Sequence, residues 1–194
     1  HFFDYKKSEN IIKFYLLKHY SLEIEKLKTI SYKPLPTPHL IIDDLEMNFF
    51  SDQIDLKTNK LYIYPKLFSI YNFNKFQIRK IKLFENKIQT NLNDFNILMK
   101  EIINLKNKFY FKNLQIIFKE KDENILNLNE INFTNYGYKK NIILGEIFNQ
   151  KFKVNLKDNL KDISFKLLNT GIYFQLNFLD NLIEPYSKGG LKGR

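Results

Sequence analysis

Phe152-Lys153-Val154-Asn155-Leu156, Ile163-Ser164-Phe165-Lys166-Leu167 and Ile172-Tyr173-Phe174-Gln175-Leu176-Asn177-Phe178 follow one another with only short connections. In each run large apolar side chains recur at every second position. Successive side chains of an extended chain point to opposite faces, so each run presents one apolar and one wetter face. That is the pattern of antiparallel strands with one covered side.

Working outward, the same rhythm holds in Leu114, Ile116 and Phe118, and in Leu126 and Leu128, which shift to Ile131 and Phe133. Phe148 heads the run that continues through Phe152, Val154 and Leu156. Nearer the N-terminus, Leu40 and Ile42 alternate on one parity and Leu45, Met47 and Phe49 on the other, and Ile78 shifts in the same way to Ile81 and Leu83. A change of parity within a strand predicts a bulge or a break. Leu61 and Ile63 add a further strand, and Pro65 to Asn74 reads as a loop. Short links at Lys119 to Asn124, Tyr136 to Asn141 and Asn169 to Gly171 predict hairpins in a meander. Pro34, Pro36 and Pro38 exclude the middle of a sheet, so that segment should lie at an edge or form the entry into the sheet.

Two segments depart from the period of two. Tyr5 to Tyr20 contains no Pro or Gly and sets Ile12, Leu16 and Tyr20 four residues apart, which predicts an amphipathic helix. Phe95, Leu98, Met99, Ile102 and Ile103 form a helical stripe behind the cap candidate Asn93-Asp94, predicting a helix over residues 94-106 that packs on one face or end of the sheet. The expected fold is therefore mostly β: an antiparallel meander sheet, curved or groove-like, with an N-terminal helix and one inserted helix. Residues 1-30 would hold the first helix and strand, and 31-194 the sheet, as one folding unit. The first residue, His1, and the stretch Ser187 to Arg194 read as cuts through a longer protein.

With 44% hydrophobic and 27% charged residues among 194, the chain has the composition of a folded domain. Its abundance of Lys, Asn, Ile, Phe and Tyr is what an AT-rich genome would encode. That tempers the formal charge of +10, because of 31 basic residues only Arg79 and Arg194 are arginine and the lysines are scattered. A phosphate reader usually exploits bidentate arginine, so a nucleic-acid partner is not expected. Absence of cysteine excludes disulfides and thiolate metal sites and leaves the redox compartment open.

No catalytic constellation emerges. His1, His19 and His39 have no metal-ligand spacing, and no Gly-x-Ser-x-Gly elbow is present. Asp43-Asp44 and Asp122-Glu123 are paired carboxylates, but neighbours on a strand point apart, so Asp43 and Asp44 are not expected to converge. No enzyme, metal or cofactor is expected. The 19 Phe and 12 Tyr leave three uses open: a closed core, a platform stacking nucleobases, or a groove for an acyl chain.

The order of features resembles the N-terminal region of the AsmA family. The residues that carry the likeness are Lys33-Pro34-Leu35-Pro36-Thr37-Pro38-His39-Leu40, Tyr64-Pro65-Lys66-Leu67 and Ile78-Arg79-Lys80-Ile81-Lys82-Leu83, then Leu128-Asn129-Glu130-Ile131-Asn132-Phe133 with Gly145-Glu146-Ile147-Phe148. Together they span most of residues 10 to 180, in a version suited to an AT-rich proteobacterium. The resemblance implies a periplasmic envelope protein held in the inner membrane by an anchor missing from this chain. It also implies an apolar β groove that takes phospholipid acyl chains during lipid transfer or outer-membrane assembly. The candidate lining is Leu114, Ile116, Phe118, Phe152, Val154, Leu156, Ile172, Phe174, Leu176 and Phe178. Two rivals remain: an RNA-binding protein of organellar ribosomal type, and a plain β interaction domain.

Overall fold

The computed structural model describes residues 5–49, 54–66, 69, 76–121, 123–135, 140–157, 162–177 and 186–191. Helix α1 (Tyr5–Tyr20) leads into β1 (Leu22–Lys26), β2 (Thr29–Lys33), β3 (His39–Phe49), β4 (Ile54–Pro65) and β5 (Ile78–Thr90). Helix α2 (Leu92–Asn104) follows, and then β6 (Lys108–Glu120), β7 (Glu123–Asn135), β8 (Lys140–Ile147), β9 (Gln150–Lys157), β10 (Asp162–Leu167), β11 (Ile172–Asn177) and β12 (Tyr186–Leu191).

All strands join one open sheet, in chain order from β3 to β12. β1 and β2 both pair with β3, along its second and first halves, so together they act as one interrupted edge strand. The prolines at 34, 36 and 38 lie in the loop between β2 and β3, at that edge as expected. Every described pairing is antiparallel except β5 with β6, which is parallel. The sheet is thus mostly antiparallel, as expected, with one parallel step at the inserted helix. A helix laid across the sheet returns the chain to its starting end, so the next strand must run in the same direction.

The helices form where apolar spacing puts them. Ile12, Leu16 and Tyr20 of α1 are buried, and Lys13 pairs with Glu9 one turn earlier at 2.8 Å. In α2, Leu98, Ile102 and Ile103 are buried. Its N-cap is Asn91, whose Oδ1 accepts the Asp94 N–H at 2.9 Å, so the helix starts two residues before the stretch 94-106 and is not capped by Asn93-Asp94. No helix among the described residues is long and apolar enough to cross a membrane.

The parity shifts at Ile42 to Leu45 and Leu128 to Ile131 are real and share one cause, whereas that at Ile78 to Ile81 is a separate slip of β5 against β4 at Tyr64/Pro65. Asp44 in β3, Glu85 in β5, Asn113 in β6 and Glu130 in β7 have left-handed φ of 49°, 55°, 52° and 51° in mid-strand. On each strand two successive residues face away from the core: Asp43-Asp44, Asn59-Lys60, Phe84-Glu85, Lys112-Asn113 and Asn129-Glu130. From β3 to β6 these steps stand opposite one another, so the register runs through them unbroken. Between β6 and β7 they are offset and the register shifts. A single bulge bends and twists its own strand. A row of them creases the sheet.

The consequence is measurable across the core. Following the register, Phe49 of β3 lies level with Phe118 of β6, nine positions from Phe109. In a flat sheet Phe49 and Phe109 would be about 30 Å apart along the strands and about 14 Å across them. Their ring centroids are 6.1 Å apart. The sheet is curled until opposite corners of its inner face meet, and Tyr20 at the end of α1 closes the gap, 6.3 Å from the Phe109 ring.

Polar groups inside the crease are satisfied. Buried Asn86 accepts from the Thr58 hydroxyl at 2.7 Å and donates to the carbonyls of Leu83 and Lys112 at 3.1 and 3.0 Å. Exposed Asn59 donates to Glu85 at 2.7 Å. Removing a buried partner leaves its mates desolvated, whereas an exposed bond is replaced by water. Asn86→Ala should therefore lower stability by about 2 kcal/mol, and Asn59→Ala should stay within about 0.5 kcal/mol of the parent. Urea midpoints at unchanged m-value check both, and equal losses would contradict this account.

Candidate functional site

Residues paired directly across strands share a face. The register Phe111, Phe133, Ile143, Val154, Phe165, Phe174 therefore draws one unbroken apolar row across six strands, from β6 to β11. A parallel row runs from Leu156 through Ile163 to Leu176. Helix α2 lies over the β6 end of this face. Beneath it is a cavity of about 190 Å³ whose walls are apolar throughout. Phe95, Leu98, Met99 and Ile102 form its roof, and strands β6 to β9 form its floor.

The candidate lining divides accordingly. Leu114, Ile116, Phe152 and Val154 line the cavity. Phe118 is buried but packs edge-on against Phe95 of α2, at 5.0 Å between centroids. Leu156 is buried on the same face beside the cavity, and Leu176 is half-buried. Ile172 and Phe174 are not among the cavity walls and are 41% and 39% exposed. Phe178 falls outside the described residues. Phe148 does not continue its strand: it sits in the hairpin turn with Asn149 at φ 48°, 82% exposed. The roof was missed because its helical stripe read as ordinary packing, and Phe111, Leu128, Ile131, Phe133 and Ile143 because their alternation shows a face without showing which strands adjoin. Aligning successive hairpins would have found the row.

Gly145 sets part of the floor. A methyl built there would stand 2.3 Å from Ile131 Cδ1 and 2.8 Å from Phe152 Cζ, and both side chains line the cavity. Phe152 in turn stacks on Phe165 of β10 at 5.8 Å, which carries the apolar surface outward from under the helix.

The polar candidates are engaged elsewhere. Asp43 and Asp44 both face away from the core, because the crease removes the alternation that would have sent them apart. Asp43 accepts from Thr29 Oγ1 at 3.0 Å and Asp44 pairs with Lys28 at 3.2 Å. Asp122 lies outside the described residues and Glu123 is exposed. The His19 ring packs at a tilt against Tyr15, 4.2 Å between centroids. His39 Nδ1 donates to the Thr37 carbonyl at 2.7 Å. His1 lies outside the described residues, and among those described no three His, Cys, Asp or Glu residues gather as a metal site would need.

An apolar cavity of this size, lacking polar partners for water, favours small apolar guests. Gly145→Ala should push Ile131 and Phe152 into it at a cost of about 1 kcal/mol, the low end of overpacking because free space adjoins. Val154→Phe should fill it from the other side. Xenon NMR is expected to show binding to the parent and loss in both variants; unchanged shifts would mean the cavity is not a binding space.

No protein-family model, curated protein or solved structure significantly matches this chain.

Proposed function

We propose that this chain is a non-enzymatic lipid-handling module of a bacterial envelope protein of AsmA type. In this reading it works in the periplasm of an inner-membrane-anchored protein, during phospholipid transfer or outer-membrane assembly. The observation that supports the reading most is that, among the described residues, the apolar face outruns its cover. It begins in the cavity under α2 and continues along the same strand rows to half-exposed Ile172 and Phe174.

Size decides how such a face is used. The cavity of about 190 Å³ falls below the roughly 300 Å³ at which pockets begin to enclose small molecules. A phospholipid acyl chain can place its end under α2 only if the remainder lies along the open rows of β10 and β11. Each methylene withdrawn from water there contributes about 0.8 kcal/mol. Among the described residues the cavity lining supplies no polar group for a head group, which in this reading remains in solvent.

Protein purified without detergent should carry phospholipid detectable by native mass spectrometry and should take up a fluorescent phospholipid from vesicles. Phe174→Glu sets a charge on the exposed part of the path, where the fold barely depends on it. This variant should keep the parent circular dichroism spectrum and lose uptake at least about tenfold, since a buried charge costs several kcal/mol. A lipid-free parent that takes up nothing would sink the reading.

A further inference from the structure

The crease also sorts charge on the outer face. On the Lys80 side of it, the outward residues of β4 to β6 include Lys60, Lys80, Lys82, Lys108 and Lys112, joined by Arg79, and these stretches of the three strands contain no Asp or Glu. None of the ion pairs among the described residues involves them. Carboxylates reappear at the crease itself, with Glu85, and beyond it.

Aromatic rings are set among these cations. The Lys80 ammonium lies 4.4 Å and that of Lys82 5.7 Å from the centre of the Tyr64 ring, and Lys82 also lies 5.8 Å from that of Tyr110. Tyr62 packs on Phe84 at 4.9 Å, and His39 stacks on both Tyr62 and Tyr64. Burial, then Lys82, Arg79 and Lys108, hold the Lys80 ammonium below its ordinary pKa, as expected where like charges crowd without a counter-ion.

We propose that this outer face of β4 to β6 docks on the anionic phospholipid surface of a bilayer. Ammonium groups are compact, hydrated point charges suited to a diffuse layer of phosphates, and tyrosine settles at the membrane interface. A single-stranded nucleic acid fits less well. Base stacking needs free ring faces, and those of Tyr62 and Tyr64 are already engaged by His39, Phe84 and Lys80. The proposal is independent of the groove, which lies on the opposite face.

Co-sedimentation with vesicles of phosphatidylglycerol and phosphatidylcholine, against phosphatidylcholine alone, tests it. The parent should bind only the anionic vesicles and release as salt rises. A combined Lys80→Gln, Lys82→Gln, Lys108→Gln variant should lose about tenfold or more, given the attraction of each lysine near an anionic surface. A Lys119→Gln, Lys151→Gln, Lys166→Gln variant with the same net charge should lose less than about threefold. The single substitution Lys108→Glu, at an exposed position, should weaken binding in the same direction if the triple variant folds poorly. Phe174→Glu should dock like the parent, which separates this result from failure of the groove. Equal losses in the two triple variants would reduce the effect to net charge and overturn the proposal. So would an oligouridylate that binds the parent, loses binding in the first triple variant, and leaves vesicle binding unaffected by it.

Discussion

Five neighbouring strands each carry one residue too many for a flat pleat, and from β3 to β6 the sheet accommodates the extras at one level. Where the steps are staggered, between β6 and β7, the register slips on either side of the Leu114–Ile131 pair. Because Asp44, Asn59, Glu85 and Asn113 stand opposite one another, both halves of every strand keep their apolar side chains inward. Left-handed φ at non-glycine positions costs on the order of 1 kcal/mol each. Asn86 and the polar ladder around it help fix the backbone in that geometry.

Much else follows from the crease. It curls the sheet enough for Phe49 to meet Phe109 and Phe111 across three strand positions, making a core on one side that two helices can cover. The parallel pairing of β5 and β6 belongs to the same economy, since α2 must cross the inner face to join them and roofs it in passing. Asn135 secures the far end of that crossing: its side chain accepts the Phe109 N–H and donates to the carbonyls of Leu105 and Asn107. Among the described residues the helical cover reaches as far as β9. Beyond it the inner face of β10 and β11 has apolar side chains and no described element above them, which is why the same rows pass from core to candidate groove.

The elements were legible because each rests on local chemistry. The α1 range, the alternating strands and the parity shifts at Ile42 to Leu45, Ile78 to Ile81 and Leu128 to Ile131 could all be read from spacing. The errors arose where local spacing allows two outcomes. Asn91 and Asn93 are equally good caps until the approach of the chain is known. Phe148 continues an alternation, yet the hairpin needed its position for a turn. Asp43 and Asp44 were sent to opposite faces by a rule that holds only in an unbroken strand.

The sequence by itself determined that this chain forms strands with one apolar face and two amphipathic helices, since period and composition act within a few residues. It also carried part of the crease, as an apolar pair separated by two outward residues in β3, β6 and β7, whereas β4 and β5 carry Thr58 and Asn86 at the flanking position. Only the tertiary structure decided that the steps align, that one strand pair is parallel, and that Leu114, Ile116, Phe152 and Val154 close a cavity while Ile172 and Phe174 stay half-open. Those outcomes depend on which strands become neighbours and on how far a helix of fixed length can reach. Alternation gives a residue its face, but burial depends on what is brought to lie over it.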